Sequence, residues 1–415
     1  MTMNGKSKST STDLPSHVLL QAPGGKPMAD RSRRAFLGAL PLALLGPQLF
    51  EPRRAWAQAP VGGQPLAGKG LIVGRPVPLT AETPLASITT WITPNDRFPI
   101  LTSIASSYPA IEPAAWRLSV AGLVEEPFTL TYEQLRSLPA HNVTAIVECA
   151  GNSRNSVSPP LPRSFLNNGY VGNAEWRGTP LRLVLEQAGL KPGAMEIVLE
   201  GADRSKPPSA PTEVSFAKSI PLDKALHPDT LLVYAMNGAP LPREYGGPVR
   251  ALVPGWYGTY HVKWLTRVEV LDHSFDGVFM IRSWRLRRRH DGFLRDEAVS
   301  QIAVKSLITN PGPGERLGAG AHLIRGVAWS GGKDVTSVRV SADGGVTWRF
   351  ARLLDPHAVY AWRLWELPWQ PTAGSYTLMA RATDTSGAAQ PFGYDVDLNG
   401  FEVNQVQSVK VEVTT

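Results

Sequence analysis

The spacing of apolar positions predicts strands that alternate with short helices through the middle of the chain. Residues 116–120 alternate apolar and polar side chains, as a half-buried strand does, and 143–149 is a short apolar run typical of a buried strand. Thr131 is a candidate N-cap for a short helix. Residues 180–188 carry apolar side chains at helical spacing, and Gly189 follows as a stop signal. Further strands are predicted at 197–200 and 231–234.

The pattern changes near residue 300. Beyond this point the chain shows short alternating strands separated by turns, with almost no helical periodicity. Residues 342–348 contain an Asp-Gly hairpin signal directly after an alternating strand at 335–340. Further strands are predicted at 360–365, 375–382 and 407–413. This spacing predicts a small antiparallel sandwich. By contrast, residues 58 to about 100 are rich in proline and glycine, which predicts an extended segment wrapped around the domain.

The N-terminus has the pattern of an export signal. Arg33 and Arg34 precede a modest apolar run at 39–50, and a small-residue cleavage site follows it. Twin arginines in this position are typical of a bacterial Tat signal. The alternative is a membrane anchor, but the run is too short to span roughly 30 Å of hydrocarbon, and Pro47 interrupts it. We therefore expect residues 1–57 to be a leader and the protein to be periplasmic.

Composition narrows the class of protein. A chain of 415 residues is long enough for two domains, and 43% apolar with 19% charged residues suits a globular core rather than a disordered protein. The net charge is +7, but several of the positive charges belong to the leader and no nucleic-acid-binding motif is present, so we expect no nucleic-acid partner. The Tat route exports folded proteins, so a chain without disulfides sent to an oxidising compartment is expected to carry a cofactor.

A basic cluster at 285–290 leaves two interpretations open. It lines an anion entrance or binds an acidic redox partner, or it is an ordinary solvated loop.

Cys149 is the only cysteine in the chain, and it lies where a predicted strand gives way to a turn. It has no partner for an intramolecular disulfide. Gly151 and Arg154 follow it closely. Judged on these residues alone, Cys149 is either a small buried hydrophobe or a thiol placed for metal or covalent chemistry.

Longer motifs around Cys149 resemble one family. Residues 147–154 read VECAGNSR and residues 172–181 read GNAEWRGTPL, which is similar to the sulfite oxidase family of molybdenum enzymes. The similarity continues through YAMNGAPL at 234–241, and it is clearest in GPVRALVPGWYG at 247–258 with VKWL at 262–265. The motifs occur in the family's order and at similar spacing.

The resemblance implies an α+β fold in two parts. A mixed α/β molybdopterin-binding domain is expected over residues 58–300. An all-β immunoglobulin-like dimerisation domain is expected over residues 301–415, which is the strand-rich region that the hydrophobic pattern separates by itself. A homodimer is implied by the resemblance alone.

The resemblance also assigns site residues. It implies that Cys149 is the one protein ligand to molybdenum, for which a soft thiolate is suited. Arg250 and Lys263, which the residues alone mark as ordinary strand-end charges, match positions that hold the cofactor and its phosphate. Further cofactor contacts are implied for Asn152, Asp203, Tyr245 and His261. Arg154 matches an arginine near the metal, and the family's active-site tyrosine falls on Trp284, so both are candidate catalytic residues.

Several positions depart from the family pattern. An expected arginine and histidine fall on Leu101 and Ser103, and an expected tryptophan falls near Phe165 or Leu166. Leucine cannot bind an oxyanion. The remaining departures are Trp284 for tyrosine, Tyr245 for histidine and Asn399 for a late arginine. Tyr257, Tyr260 and the cluster at 285–289 are candidates to replace the lost groups.

The sequence also bears on where the electrons of the reaction go. The chain has no Cys-x-x-Cys-His haem motif, no spare cysteines for an iron–sulfur cluster and no Gly-x-Gly-x-x-Gly after a strand. We therefore expect no haem and no NAD, and a separate periplasmic redox partner such as a cytochrome c. Three functions stay open: oxidation of sulfite or a related sulfur oxyanion, molybdenum chemistry on a different oxygen-atom donor or acceptor such as an organic sulfoxide, and a secreted homologue without turnover.

Overall fold

The computed structural model describes residues 64–157, 161, 164–208 and 210–415; most of the predicted segment 58–300 is included, whereas the predicted leader 1–57 lies outside. None of the described helices is long and apolar enough to cross a membrane. The helices are α1 (Tyr132–Ser137), α2 (Leu181–Ala188), α3 (Leu222–Leu226) and α4 (Val278–Ile281). The strands before residue 300 are β1 (Ile72–Arg75), β2 (Thr80–Glu82), β3 (Ile100–Leu101), β4 (Arg117–Gly122), β5 (Phe128–Thr131), β6 (His141–Glu148), β7 (Val171–Pro180), β8 (Glu196–Ser205), β9 (Val214–Pro221), β10 (Leu231–Met236), β11 (Ala239–Pro240), β12 (Arg250–Leu252), β13 (Leu265–Leu271), β14 (Arg285–His290) and β15 (Phe293–Ala298).

Two sheets form the framework of this part. One has the order β11-β10-β7-β6, with β12 paired to β10, and the other has the order β5-β4-β13-β8-β9. The strand predicted at 143–149 is β6, whose apolar residues are buried. Thr131 caps α1 by accepting a hydrogen bond from the Gln134 backbone N–H, and α2 ends at Gly189 as predicted. The apolar run at 143–149 therefore correctly predicts the strand that leads into Cys149.

The remaining strands lie beyond residue 300. They are β16 (Lys305–Asn310), β17 (Arg316–Gly318), β18 (His322–Trp329), β19 (Val335–Ser341), β20 (Arg349–Phe350), β21 (Arg352–Leu353), β22 (Arg363–Trp369), β23 (Gly374–Asp384) and β24 (Ser408–Thr414). They form sheets of order β16-β18-β22-β21 and β17-β24-β23-β19-β20. Ile324 of one sheet and Val338 and Leu378 of the other share one buried cluster, so the two sheets pack face to face.

Two segments differ from their sequence expectation. The segment before residue 101 is not only an extended wrap, because β1, β2 and β3 pair into a three-stranded sheet. The basic cluster is not a loop, because β14 pairs with β15 in a hairpin. Three of its arginines bond to carboxylates, and these contacts hold the strand in place: Arg285 to Asp296, Arg287 to Asp397 and Arg288 to Glu402.

The two strand-rich regions share a buried contact beneath Cys149. Ile146 and Val171, from β6 and β7, belong to the same apolar cluster as Val327, Trp329 and Trp362. This contact brings residues beyond 300 directly against the strand end that carries the cysteine.

Candidate metal and cofactor site

The cysteine turn is held by a buried amide and a buried carboxylate. Asn152 Nδ2 donates to Glu148 Oε1 at 3.0 Å, and Asn152 Oδ1 accepts from the Tyr170 N–H at 3.1 Å. The Asn152 N–H donates to the Cys149 carbonyl at 2.9 Å, and Ser153 adopts a left-handed φ of 73°. These bonds fix the backbone on both sides of Cys149.

Cys149 lines a cavity of about 210 Å³. Burial raises the pKa of its thiol, while the Gly151 N–H, Arg154 and Lys305 act in the opposite direction. The raised pKa keeps the Cys149 thiol neutral. A metal ion that binds it displaces the thiol proton, because only the thiolate is a metal ligand.

The cavity brings together most of the residues predicted for the site. Besides Cys149, its lining includes Asp203, Tyr245, Arg250, His261, Lys263 and Trp284. Arg154 and Asn152 are not in the lining. The Asn152 side chain braces the turn, and Arg154 Nε donates to the Gly400 carbonyl at 2.8 Å with its guanidinium 4.6 Å from the centre of the Phe401 ring. Substrate contact by Arg154 and cofactor contact by Asn152 stay predictions.

Arg250 and Lys263 line the cavity without a carboxylate partner among the described residues. Arg250 is buried and donates only to backbone carbonyls, at 2.9 Å to both Tyr245 and His261. Lys263 Nζ donates to the Glu244 carbonyl at 2.6 Å. Burial lowers the pKa of Arg250 to about 9 and that of Lys263 to about 7. No carboxylate among the described residues lies within ion-pair distance of either, so the cavity favours an anionic ligand.

The same region presents two unpartnered acceptors. His261 Nε2 lies 2.9 Å from the Trp256 carbonyl and donates to it, because that oxygen only accepts. Burial lowers the pKa of His261 to about 3, so the ring is neutral and its buried Nδ1 is an acceptor without a partner among the described residues. Asp203 Oδ1 is likewise buried without a partner in the part of the chain that the structure describes, and burial raises the pKa of Asp203 to about 7. A heterocycle with N–H donors and an anionic tail complements this arrangement.

Glycines allow the backbone to close around these residues. A Cβ on Gly246, whose φ is +103°, would lie 2.9 Å from Lys263 Cα. A Cβ on Gly258 would lie 3.1 Å from the Glu148 carbonyl oxygen. Side chains at these two positions would push the Lys263 backbone and the cysteine strand out of place.

Aromatic rings form one wall of the cavity: Phe216 of β9 and Trp284 line it, and Phe279 of α4 packs against Trp284. Trp284 has a left-handed φ of 52°, and its ring lies 5.7 Å from Phe216 and 6.1 Å from Phe279, centre to centre. Behind it, the fully buried Lys218 Nζ donates to the Phe279 carbonyl at 2.7 Å and lies 5.3 Å from the Trp284 ring. Tyr245 contributes only its ring, because its hydroxyl contacts the Asn95 and Phe98 carbonyls.

The replacements that the sequence suggested for the lost polar groups are not where they were expected. Tyr257, Tyr260 and the arginines of β14 do not line the cavity. Arg75 does, with Nη2 donating to the Thr102 carbonyl at 3.1 Å and Nε to the Pro78 carbonyl at 3.0 Å. No sequence signal marks Arg75, because it lies in a proline- and glycine-rich segment without a motif.

Two family profiles match the chain. The oxidoreductase molybdopterin binding domain matches residues 105–279, and the Mo-co oxidoreductase dimerisation domain matches residues 296–414. Together with a cavity that offers one thiol, unpaired cations and free acceptors among the described residues, they define a molybdopterin oxidoreductase.

Individual relatives identify the family within this class of enzymes. Sulfite oxidase of Gallus gallus is 36% identical over 359 residues, covering 81% of this chain and 76% of that protein. Mitochondrial sulfite oxidase of Rattus norvegicus is 34% identical and covers 81% of this chain, which spans 64% of that longer protein. NADH nitrate reductase 1 of Oryza sativa subsp. japonica is 31% identical, with 81% of this chain and 40% of the relative covered. The chain belongs to the sulfite oxidase family.

A solved structure has the same fold. The sulfane dehydrogenase SoxCD from Paracoccus pantotrophus aligns with a TM-score of 0.73 and 30% identity, covering 81% of this chain and 85% of that one. The relatives carry different substrates in their names, so membership of the family does not by itself select one.

Proposed function

We propose that this chain is a molybdopterin-dependent enzyme that oxidises sulfite or a related sulfur compound and passes the electrons to an external acceptor. One observation carries the proposal: the only cysteine opens on the cavity that also holds the unpaired Arg250 and Lys263 and the free acceptors of Asp203 and His261. This donor set fits the cofactor. When bound, molybdopterin supplies the two-electron oxygen-atom chemistry that these side chains cannot perform alone.

The chain's own residues have separate tasks in this proposal. The Cys149 thiolate ligates the metal. Arg250 and Lys263 bind the anionic end of the pterin, and their lowered pKa values rise when a phosphate neutralises the cavity. His261 Nδ1 and Asp203 Oδ1 accept hydrogen bonds from N–H groups of the ring system.

The overall reaction with sulfite balances with water. Sulfite and one water give sulfate, two protons and two electrons, and the electrons leave to a separate redox protein. Leu101, Phe165, Phe216 and Trp284 make much of the lining apolar, which excludes water from the reacting sulfur.

This apolar lining favours a second candidate substrate. A sulfane sulfur atom, which is divalent and uncharged, is better matched to leucine and tryptophan than a sulfite dianion, whose three oxygens require several donors. The structural relative SoxCD is named a sulfane dehydrogenase. The same assay has two other outcomes: turnover of an organic sulfoxide, or no turnover of any of these compounds.

The test uses molybdenum-loaded protein. Reduction of cytochrome c or a dye is followed with sulfite and with thiosulfate as a sulfane compound. With dimethyl sulfoxide the assay runs in reverse, and oxidation of a reduced dye is followed. We expect turnover of at least one of the first two and none in Cys149→Ser, with Arg117→Met, an exposed position on β4, as a control that keeps the thiol. Bound molybdenum without turnover of any sulfur compound would contradict the proposal.

Cell location and assembly belong to the same proposal. We place the enzyme in the periplasm after Tat export, on the strength of Arg33 and Arg34, and as a homodimer, on the strength of the dimerisation profile over residues 296–414. Replacing both arginines with lysine is expected to leave the protein in the cytoplasmic fraction. A single species of monomer mass in sedimentation would contradict the dimer.

A further inference from the structure

The sheet formed by β1, β2 and β3 places Arg75 beside the position where the family's arginine is missing. In the antiparallel registers, Arg75 lies opposite Thr80, and Thr80 lies opposite Leu101. Directly opposed residues of neighbouring strands point to the same face of a sheet. Arg75 therefore shares its face with Leu101, two strands away, and all three residues line the cavity.

Contacts from three directions fix the Arg75 guanidinium. Nε and Nη2 donate to the Pro78 and Thr102 carbonyls, and the guanidinium lies 5.0 Å from the centre of the Phe165 ring. No carboxylate of the described residues pairs with it. Two of its five N–H groups are used by these bonds, which leaves N–H donors for a ligand.

Tyr170 ties Arg75 to the metal side of the cavity. The Tyr170 carbonyl accepts from the Cys149 N–H at 3.0 Å. At its other end, the Tyr170 hydroxyl is so close to β1 that a Cβ on Gly74 would lie 1.9 Å from it. One residue thus contacts both the cysteine turn and the strand that carries Arg75.

Two hydroxyls complete the subsite. Thr80 Oγ1 and Thr102 Oγ1 are buried, and neither makes a hydrogen bond of good geometry within the described part of the chain; Thr80 neighbours Tyr170, and Thr102 neighbours Tyr108. Both residues line the cavity beside Arg75. A fixed cation with two buried hydroxyl donors is the arrangement that binds an oxyanion.

We propose that Arg75, Thr80 and Thr102 form an oxyanion subsite that binds the anionic head of the sulfur substrate. The inference rests on the proposed function and narrows it. One cation beside an apolar wall favours a substrate with a single sulfo-type head and an uncharged sulfur, as in an S–SO₃⁻ compound. Arg75 lies in the cavity lining, whereas Arg154 lies outside it and donates through Nε to the Gly400 carbonyl.

The experiment measures anion binding and kinetics on molybdenum-loaded enzyme, in which the cofactor already neutralises Arg250 and Lys263. The probe is inorganic sulfate, titrated calorimetrically and as a competitive inhibitor. Arg75→Met is expected to weaken sulfate binding and raise KM at least about tenfold, with kcat changed less than about threefold. Arg75→Lys is expected to recover part of the affinity. Arg117→Met, an exposed arginine on β4, is the matched control and should bind sulfate as the wild type does.

A pair of variants guards against a folding failure in Arg75→Met. Thr80→Val and Thr102→Val keep the arginine and remove one hydroxyl donor each. Each is expected to lower the affinity for sulfate about threefold or more. Equal sulfate affinity in wild type, Arg75→Met and both threonine variants would overturn the subsite. If the wild type turns over no sulfur compound, the proposed function fails, whereas a loss of sulfate affinity in Arg75→Met still establishes the subsite.

Discussion

Lys305 Nζ donates to Glu148 Oε1 at 3.1 Å, and both side chains are only 2% exposed. Glu148 directly precedes Cys149, whereas Lys305 begins β16. The other carboxylate oxygen accepts from Trp329 Nε1 at 2.8 Å. A buried ion pair with its hydrogen bonds satisfied therefore joins the cysteine strand to the sheet beyond residue 300.

Removing one partner of this pair should be costly. Lys305→Met leaves the Glu148 carboxylate buried without its cation, and we expect the free energy of unfolding to fall by about 3–5 kcal/mol in urea titrations. The double variant Glu148→Gln with Lys305→Met should recover part of this loss. The exposed pair Arg182–Glu186 is the control, where Arg182→Met should cost less than about 0.5 kcal/mol. A similar small cost at both sites would show that the buried pair is not structural.

The close approach at Gly246 gives a steric prediction. Gly246→Ala puts a methyl group against the Lys263 backbone in addition to the cost of a positive φ. Gly238 has a φ of +75° but no atom within 4 Å of the point where its methyl carbon would lie, so Gly238→Ala carries the backbone cost alone. We expect Gly246→Ala to lower the unfolding free energy by about 1–3 kcal/mol more than Gly238→Ala. Equal losses in thermal or urea unfolding would contradict the close packing.

Arg250 and Lys263 should control cofactor retention. Arg250→Ala and Lys263→Ala each remove a donor to an anionic group, and we expect cofactor to be lost at least about tenfold more readily. Molybdenum per chain is measured by elemental analysis after extended dialysis. Arg267→Ala, a half-exposed arginine of β13, is the control and should keep its metal. Full molybdenum in both cavity variants would remove these residues from cofactor binding.

Lys218 predicts a pH dependence of stability. Burial, with a smaller effect of Arg285, lowers the pKa of Lys218 to about 7, below its value in an unfolded chain. Between about pH 7 and pH 10 the unfolded chain therefore binds more protons, and the contribution of Lys218 makes the unfolding free energy rise with pH. Lys218→Met removes this contribution, so the wild type should gain stability relative to the variant from about pH 7 to about pH 9.5. An identical pH slope in both proteins, measured by urea unfolding, would contradict the shift.

The sequence predicts well where local chemistry decides. The Thr131 cap, the helix that ends at Gly189 and the strand before Cys149 depend on residues close together in the chain, and all three are present in the structure. Family motifs likewise identify six cofactor candidates, and five of them line the cavity: Asp203, Tyr245, Arg250, His261 and Lys263. The sixth, Asn152, bonds to Glu148 instead.

Local sequence patterns do not predict contacts between residues that are far apart in the chain. The Glu148–Lys305 pair joins residues 157 positions apart, and Arg75 reaches the Thr102 carbonyl across 27 positions. Neither lysine nor arginine carries a local pattern that reveals its partner. The cluster at 285–290 shows the converse, because its charges suggest an anion site whereas three of them bond to carboxylates on other segments.

The most direct test of the account is X-ray absorption at the molybdenum edge of wild type and Cys149→Ser. Arg250 and Lys263 are unchanged in the variant, so both samples should contain the metal. We expect one sulfur ligand fewer in Cys149→Ser, together with loss of turnover. The same number of sulfur ligands in both proteins would contradict the assignment of Cys149 as the metal ligand.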